Sequence, residues 1–170
     1  MWWDRSEAGK RLLLRVWRVM PLPGRARSML YWLLGTKYAV GVQGLVFDNE
    51  GRLLLLRHTY KAGYPWGLPG GGMQRGETTT QALQRELQEE AGLHVNPMRL
   101  LSVETHSNRL LIEVFYLCRA GGGAFRPNAE ISDYGYFALD KLPAGTEPRL
   151  RRIIAAYAAA GLLPIASEGT

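Results

Sequence analysis

The sequence contains a single cysteine, Cys118, so the 170-residue chain can form no internal disulfide bond. A chain without disulfides suits a reducing compartment, and we expect a cytoplasmic protein. Cys118 lies in an apolar run that is typical of a β-strand. This setting favours a buried, inert thiol over a catalytic one.

Long uninterrupted apolar runs are also missing. The two apolar stretches near the N-terminus, 12–20 and 29–34, are broken by Arg15, Arg18, Pro21 and Gly35 or are too short to span a bilayer. Charges inside the first stretch, and the absence of a small-residue cleavage site after it, argue against a signal peptide. We therefore expect neither a transmembrane helix nor a cleaved leader.

Histidine is scarce, and the three histidines lack the spacing of a metal-ligand set. We expect His58, His94 and His106 to be structural, although His58 and His106 could line a pocket. A site built from histidine or cysteine, such as a zinc centre, is therefore not indicated.

Most of the chain carries no excess charge of either sign. Residues 1–37 hold eight basic and two acidic residues, whereas the remainder holds thirteen of each, so the net charge of +6 belongs to the N-terminal segment. This division predicts a basic, amphipathic helical arm over 1–37 and a balanced domain over 38–165, with no DNA partner expected. The arm could pack on its own domain, form a homodimer, or contact an anionic membrane peripherally; we favour the first two.

The most informative stretch runs from Gly71 to Leu93 and reads GGMQRGETTTQALQRELQEEAGL. Thr78 and Gln81 can form a capping box, good helix formers follow, and Gly92 suits the position just past a helix end. The stretch therefore predicts a helix over 79–91.

Three glutamates of this helix, Glu86, Glu89 and Glu90, share one face because they stand at i, i+3 and i+4. An apolar stripe beside them would dock the helix on the core, which places the carboxylates at the edge of the buried face. Their mutual repulsion would be poorly screened there, so a cation is needed. Carboxylates without nearby Cys or His suit Mg²⁺ or Mn²⁺. The alternative is an ordinary solvated acidic face.

Written as a pattern, the stretch is G-x5-E-x7-R-E-U-x-E-E-x-G-U, where U is apolar, and it resembles the Nudix box with every specified position filled. The resemblance implies a hydrolase of nucleoside diphosphates linked to another moiety. It further implies metal ligands at Glu86, Glu89 and Glu90, with one of them or a nearby carboxylate acting as the base, and a supporting ion pair between Arg85 and Glu77. The backbone at Gly71 and the loop residue Glu130 are additional candidate metal contacts, with Glu130 also a candidate base.

The order of elements predicts an α/β fold, in which a mixed β-sheet lies between helices as in the Nudix α/β/α sandwich, with the N-terminal helical extension outside it. We expect strands at 38–47, 52–60, 98–106, 110–118 and 134–138, and a last helix at 147–160. The glycines at 121–123 are expected to form a loop.

The substrate is much less constrained. Family members for ADP-ribose and for dinucleoside polyphosphates are marked by Pro or Tyr some sixteen or seventeen residues beyond the box, where this chain has Arg109 and Leu110. Residues flanking the box are candidates for stacking on a base or meeting phosphate: Arg57, Tyr60, Tyr64 and Trp66. Trp66 is equally consistent with a core position.

We therefore expect a Nudix pyrophosphohydrolase that uses Mg²⁺ or Mn²⁺ and acts on a small-molecule nucleotide. One alternative is an RNA 5′-end pyrophosphohydrolase helped by the basic arm, although no basic surface interleaved with aromatics is visible in the body. A second is a membrane-surface hydrolase of a lipid-linked diphosphate. A binding module without turnover is disfavoured, because every motif glutamate is present.

Overall fold

The computed structural model describes residues 23–106 and 108–164, together with Arg11 and Arg15. The chain divides into two units at Lys37. In the first unit, helix α1 spans Gly24–Leu34, and the Lys37 ammonium lies 4.7 Å from the centre of the Trp32 ring. Of the predicted helical arm over 1–37, residues 1–22 lie outside the described residues except for Arg11 and Arg15. In the described part of the chain, no helix is long and apolar enough to cross a membrane.

In the second unit, the described residues form one mixed sheet of seven strands. The strands are β1 (Ala39–Phe47), β2 (Leu53–His58), β3 (Trp66–Gly67), β4 (Gly70–Gly72), β5 (Leu93–His106), β6 (Leu111–Gly123) and β7 (Ile131–Phe137). The main order is β3-β2-β1-β6-β5, with β4 paired to β1 and β7 paired to β2. Only the pair of β1 and β6 is parallel among these strands.

Helices cover both faces of this sheet, because the apolar side chains of β1 point alternately to one face and the other. Val42 and Val46 point to one face, where they pack with helix α2 (Thr79–Ala91). Leu45 and Phe47 point to the other, where helix α3 (Pro148–Ala159) packs. Because side chains alternate along a strand, one central strand supplies both cores. The predicted α/β architecture, with a mixed sheet between helices, is confirmed.

The observed bounds of the helices and strands agree best with the predicted ones where capping residues near the ends set them. Helix α2 begins and ends as predicted, whereas β5 starts five residues earlier than expected and β6 runs five residues further. The glycines predicted as a loop belong to β6, with Gly123 opposite Leu93. Pairing with a neighbouring strand here overrides the weak strand preference of glycine. Strand β7 also begins three residues before the predicted start, at the fully buried Ile131.

Candidate active site

Helix α2 is fixed at both ends by its own sequence. The Thr78 side chain accepts a hydrogen bond from the Gln81 amide, and the Gln81 side chain accepts one from the Thr78 amide. Gly92 ends the helix in the left-handed conformation, at φ 67°. These caps set where α2 begins and ends, while its apolar stripe, which includes Leu83 and Leu87, sets the face that meets the sheet.

The three motif carboxylates differ in exposure because they straddle the edge of the buried face. Leu83 and Leu87 are completely buried against the sheet. Glu90 is 8% exposed, the side chain of Glu86 is 16% exposed, and that of Glu89 is 59% exposed. The carboxylates thus run from the protein interior to solvent across one turn.

Glu90 is the most perturbed of these carboxylates. Burial raises its pKa from the ordinary 4.5 to about 7, and the negative charges of Glu86 and Glu130 act in the same direction. The Gly70 amide, which donates to Glu90 Oε2 at 3.1 Å, and the Lys61 ammonium oppose this rise. Negative charge at this position is therefore incompletely compensated, a setting that favours a bound cation.

Arg85 organises the carboxylates around it. Its guanidinium forms a two-pronged contact with Glu77, with Nε 3.1 Å from Oε2 and Nη2 2.8 Å from Oε1. Its Nη1 donates to Glu86 at 2.9 Å and to Glu89 at 3.0 Å, and its Nη2 also donates to the Gly72 carbonyl at 2.9 Å. The hydrogen bonds to Glu77 chiefly raise the pKa of Arg85, and those from Arg85 lower the pKa of Glu77.

Strand β4 brings the backbone close to these carboxylates. A Cβ added at Gly71 would lie 2.4 Å from the carboxyl carbon of Glu86, a distance that no side chain tolerates. Pairing of β4 with β1, with Gly71 opposite Val42, holds the strand in this place. Glycine at position 71 is therefore what lets the Glu86 carboxylate rest against the main chain.

The donor set fits a hard divalent cation. It consists of carboxylates and backbone carbonyls, the oxygen ligands that Mg²⁺ and Mn²⁺ prefer. Within the described residues, no three Asp, Glu, His or Cys side chains converge closely enough to hold a metal ion as they stand. Arg85 engages Glu86 and Glu89, and Glu90 accepts a hydrogen bond from the Gly70 amide.

Glu130 belongs to the same neighbourhood. Its charge raises the pKa of both Glu90 and Tyr60. Its main chain is joined to the end of β2, where the Thr59 amide donates to the Glu130 carbonyl at 2.8 Å. The structure thus brings the charge of this loop residue within reach of the carboxylates of α2.

The candidate substrate residues fall in different settings. Tyr60 is 64% exposed. Partial burial of its hydroxyl raises its pKa most, and the negative charges of Glu90, Glu130 and Glu86 raise it further. Tyr64 is exposed on the same loop. Arg57 is exposed and donates to Ser132 at 3.2 Å. Trp66 packs edge-on against Phe137 in the core beneath α3, with ring centres 5.2 Å apart, which is the core position left open by the sequence.

Two further residues near the carboxylates were not singled out by the sequence. Burial lowers the pKa of Lys61, and the carboxylate of Glu90 acts on it in the opposite direction. Asn128 donates to the main chain of α2 and accepts from the amide of Glu130. The only sequence signals were a cation beside Tyr60 and a turn-forming Pro127-Asn128 pair before Glu130.

Of the candidate histidines, His106 is a hydrogen-bonded group and His58 is a packed, buried one. His106 lies on the α3 side of the sheet, 2.7 Å from Glu113 and 2.8 Å from Arg149. His58 is 3% exposed, and neither ring nitrogen has a partner within the described residues. Burial, with the Lys61 charge nearby, lowers the pKa of His58 to about 4. Cys118 is buried, as expected, and burial raises its thiol pKa to about 12.

Comparison with known proteins identifies the family of the chain. A family model described as NUDIX domain matches residues 37–157. A MutT-like protein of Streptomyces ambofaciens is 30% identical over 105 residues, which are 62% of this chain and 67% of that protein. The human 8-oxo-dGDP phosphatase NUDT18 is 49% identical over 65 residues, 38% of this chain but only 20% of that protein.

Solved structures share the same architecture. An ADP-ribose pyrophosphatase from Streptococcus suis superposes with a TM-score of 0.58 at 29% identity, covering 71% of this chain and 91% of that one. The region matched by the family model, residues 37–157, contains the sheet, helix α2 and its carboxylates. The chain belongs to the Nudix family of pyrophosphohydrolases.

Proposed function

We propose that the protein hydrolyses the diphosphate linkage of a nucleoside diphosphate, or of a nucleoside diphosphate joined to another moiety, with Mg²⁺ or Mn²⁺. The observation that carries the proposal is the buried carboxylate of Glu90. It stands one turn from Glu86, with its pKa raised to about 7 and no hydrogen-bonded cation of its own among the described residues.

In this proposal, Glu86, Glu89, Glu90 and the main chain at Gly71 hold the cation, and Glu130 supplies a further ligand or a base. When bound, the cation neutralises phosphate charge and lowers the pKa of a coordinated water. The chain's part is to hold the oxygens in place. Arg85 does so by fixing Glu86 and Glu89 from one side while Glu77 fixes Arg85 from the other.

The residues around Tyr60 and Lys61 would receive the substrate. The exposed Tyr60 ring offers a stacking surface for a base, and Lys61 Nζ lies 5.8 Å from the centre of that ring. An ammonium there can donate to a phosphate oxygen while the carboxylates face the opposite side of the linkage. Tyr64 and Arg57 are further candidates at the rim.

The relatives support a nucleoside diphosphate substrate. ADP-ribose and 8-oxo-dGDP, named for two of them, share a nucleoside carrying a diphosphate. A panel of ADP-ribose, 8-oxo-dGDP and 5′-triphosphorylated RNA, assayed for released product with Mg²⁺ and with a chelator, tests the proposal. We expect Mg²⁺-dependent release of a nucleoside monophosphate from at least one small nucleotide. Turnover of RNA alone would favour the RNA 5′-end alternative, and chelator-resistant turnover would contradict the proposal.

We also propose a cytoplasmic location and a role in association for residues 1–37. The single cysteine supports the former, and the basic and apolar residues of the segment support the latter. The segment would form a homodimer or pack on its own domain, with a peripheral contact with an anionic membrane as the alternative.

A further inference from the structure

The segment between β6 and β7 closes the C-terminal end of helix α2. The last carbonyls of a helix lack partners within the helix and need donors from elsewhere. Here the Arg126 amide donates to the Ala91 carbonyl at 3.1 Å. The Asn128 side chain donates to the carbonyls of Glu89 at 3.2 Å and Glu90 at 3.0 Å. This segment therefore caps three consecutive carbonyls of the helix that carries the carboxylates.

Asn128 also holds the residues that follow it. Its Oδ1 accepts from the Glu130 amide at 2.8 Å and from the Ile131 amide at 2.7 Å. The backbone amide of Asn128 donates to the Ile131 carbonyl at 3.0 Å. One side chain thus connects the end of α2 with the amides of Glu130 and Ile131.

A second anchor holds Glu130 from the side of the sheet. Thr59 follows β2, and its hydroxyl donates to the Ala129 carbonyl at 2.7 Å, with the Glu130 carbonyl 3.1 Å away. The Thr59 amide donates to the Glu130 carbonyl at 2.8 Å. The main chain of Glu130 is therefore bonded through its amide to Asn128 and through its carbonyl to Thr59.

The side chain of Glu130 is left available by these bonds. Within the described residues its carboxylate forms no hydrogen bond or ion pair, and Asn128, bonded to both the Glu90 carbonyl and the Glu130 amide, holds the two residues side by side. We propose that Asn128 and Thr59 are positioning residues that aim the Glu130 carboxylate at the cation site of Glu86 and Glu90. The inference rests on the proposed function, because it assigns Glu130 to the same reaction.

A merely structural role for the two anchors would affect stability whether or not Glu130 carries a charge. A positioning role predicts coupling, since the anchors would matter only while the Glu130 carboxylate is present. A double-mutant cycle separates the two, with Asn128→Ala and Thr59→Val each made in the full chain and in a Glu130→Gln background.

The cycle has a matched control. Thr79→Val makes the same substitution as Thr59→Val and removes the 2.7 Å hydrogen bond between Thr79 and Tyr116, at the opposite end of α2. The quantities to measure are kcat, KM, the melting temperature, and the dissociation constant for Mn²⁺ by electron paramagnetic resonance. The last does not depend on turnover.

We expect Asn128→Ala and Thr59→Val to lower kcat or weaken Mn²⁺ binding roughly 10- to 100-fold, as groups that orient metal ligands do. In the Glu130→Gln background the same changes should alter either quantity by no more than about twofold. Thr79→Val should leave kcat and Mn²⁺ binding at the wild-type level.

Equal losses in both backgrounds would overturn the inference, as would a Glu130→Gln variant with wild-type kcat and Mn²⁺ affinity. If Asn128→Ala fails to fold, Thr59→Val alone completes a cycle. A wild-type protein that turns over no nucleotide with Mg²⁺ would instead refute the proposed function. The Mn²⁺ affinities would then decide the positioning role by themselves.

Discussion

At the scale of one residue, Arg85 shows what a guanidinium group contributes beside the carboxylates. It donates to five acceptor atoms, on Glu77, Glu86, Glu89 and Gly72. A guanidinium reaches them at once because its donors form a rigid, planar fork, whereas an ammonium is a compact point charge. The geometry therefore depends on the shape of the side chain as well as on its charge.

Arg85→Lys should consequently lower kcat by roughly 10- to 100-fold, the range for groups that orient metal ligands. The charge is kept, so the loss would report the geometry. The matched control is Arg52→Lys, because Arg52 also pairs with two carboxylates, Asp48 and Glu50, but in an exposed turn. Steady-state rates at saturating Mg²⁺ check the pair, and equal rates for Arg85→Lys and wild type would contradict this account.

His58 makes a prediction about pH. Its pKa falls from 6.5 to about 4 on folding, so between these values the unfolded chain binds more protons than the folded one. Stability from the neutral, buried ring is therefore complete above pH 6.5 and is lost as the pH falls towards 4. The full loss is on the order of 3 kcal/mol.

The buried Glu90 changes stability in the opposite direction over a similar range, so wild type alone does not isolate His58. The comparison is with His58→Leu, measured by urea unfolding from pH 7 to pH 4. The difference in unfolding free energy between wild type and variant should shrink or reverse as the pH falls. A difference that stays constant would show that His58 is not the group that titrates.

The residues predicted from the sequence are those whose roles depend on local spacing. Glu86, Glu89 and Glu90 stand at i, i+3 and i+4 of α2, so helix geometry alone puts them on one face. Asn128 contacts a helix 38 positions away, and Thr59 contacts a residue 71 positions away. Such contacts depend on how strands pair, which no local pattern in the sequence specifies.

At the scale of elements, the short strand β4 is what admits the Glu86 carboxylate. Gly71 and Gly72 are neighbours, but successive residues of a strand point to opposite faces of a sheet. A Cβ at Gly71 would lie 2.4 Å from the Glu86 carboxyl carbon, whereas a Cβ at Gly72 would meet nothing within 4 Å. The two glycines therefore form a matched pair for substitution.

Gly71→Ala should displace the Glu86 side chain and weaken Mn²⁺ binding, roughly 10-fold or more by comparison with other disturbed metal ligands. Its melting temperature should change little, because the atoms in conflict are the far end of a flexible side chain. Gly72→Ala should bind Mn²⁺ nearly as wild type does. Calorimetry of Mn²⁺ binding checks both variants, and equal affinities would show that the close approach at Gly71 is unimportant.

The elements themselves were predictable to different degrees. Helix α2 carries its own start and stop signals, the capping box and Gly92, and its bounds agree with the sequence. Strands β5 and β6 extend past their predicted ends because each supplies hydrogen-bonding partners to the other. Pro97 and the three glycines 121–123 would suggest irregular structure if either segment were considered alone.

At the scale of the whole molecule, the net charge and the candidate catalytic residues lie in different parts of the sequence. All of the excess positive charge is in residues 1–37, whereas the NUDIX match begins at residue 37. We expect a chain that begins at Lys37 to keep metal-dependent hydrolysis of a small nucleotide. It should lose either dimerisation or binding to anionic vesicles.

Light scattering and vesicle sedimentation at two salt concentrations distinguish these outcomes. Attachment through Arg and Lys weakens as ionic strength rises, because salt screens the charges, whereas an apolar dimer contact does not. An unchanged mass and no vesicle binding in either chain would indicate that the segment packs within its own molecule. A shortened chain that folds but hydrolyses nothing would show that residues 1–37 help to build the active site.

The central claim is that the carboxylates on one face of α2 hold the cation on which hydrolysis depends. Its most direct test compares kcat at saturating Mg²⁺ for wild type, Glu86→Gln and Glu90→Gln, with melting temperatures of the metal-free proteins. We predict that each variant loses about a hundredfold or more in kcat, since groups that merely orient metal ligands already cost roughly 10- to 100-fold. Metal-free Glu90→Gln should melt no lower than wild type at pH 8, because it removes a buried charge whose pKa is raised to about 7. Near-wild-type turnover in either folded variant would contradict the account.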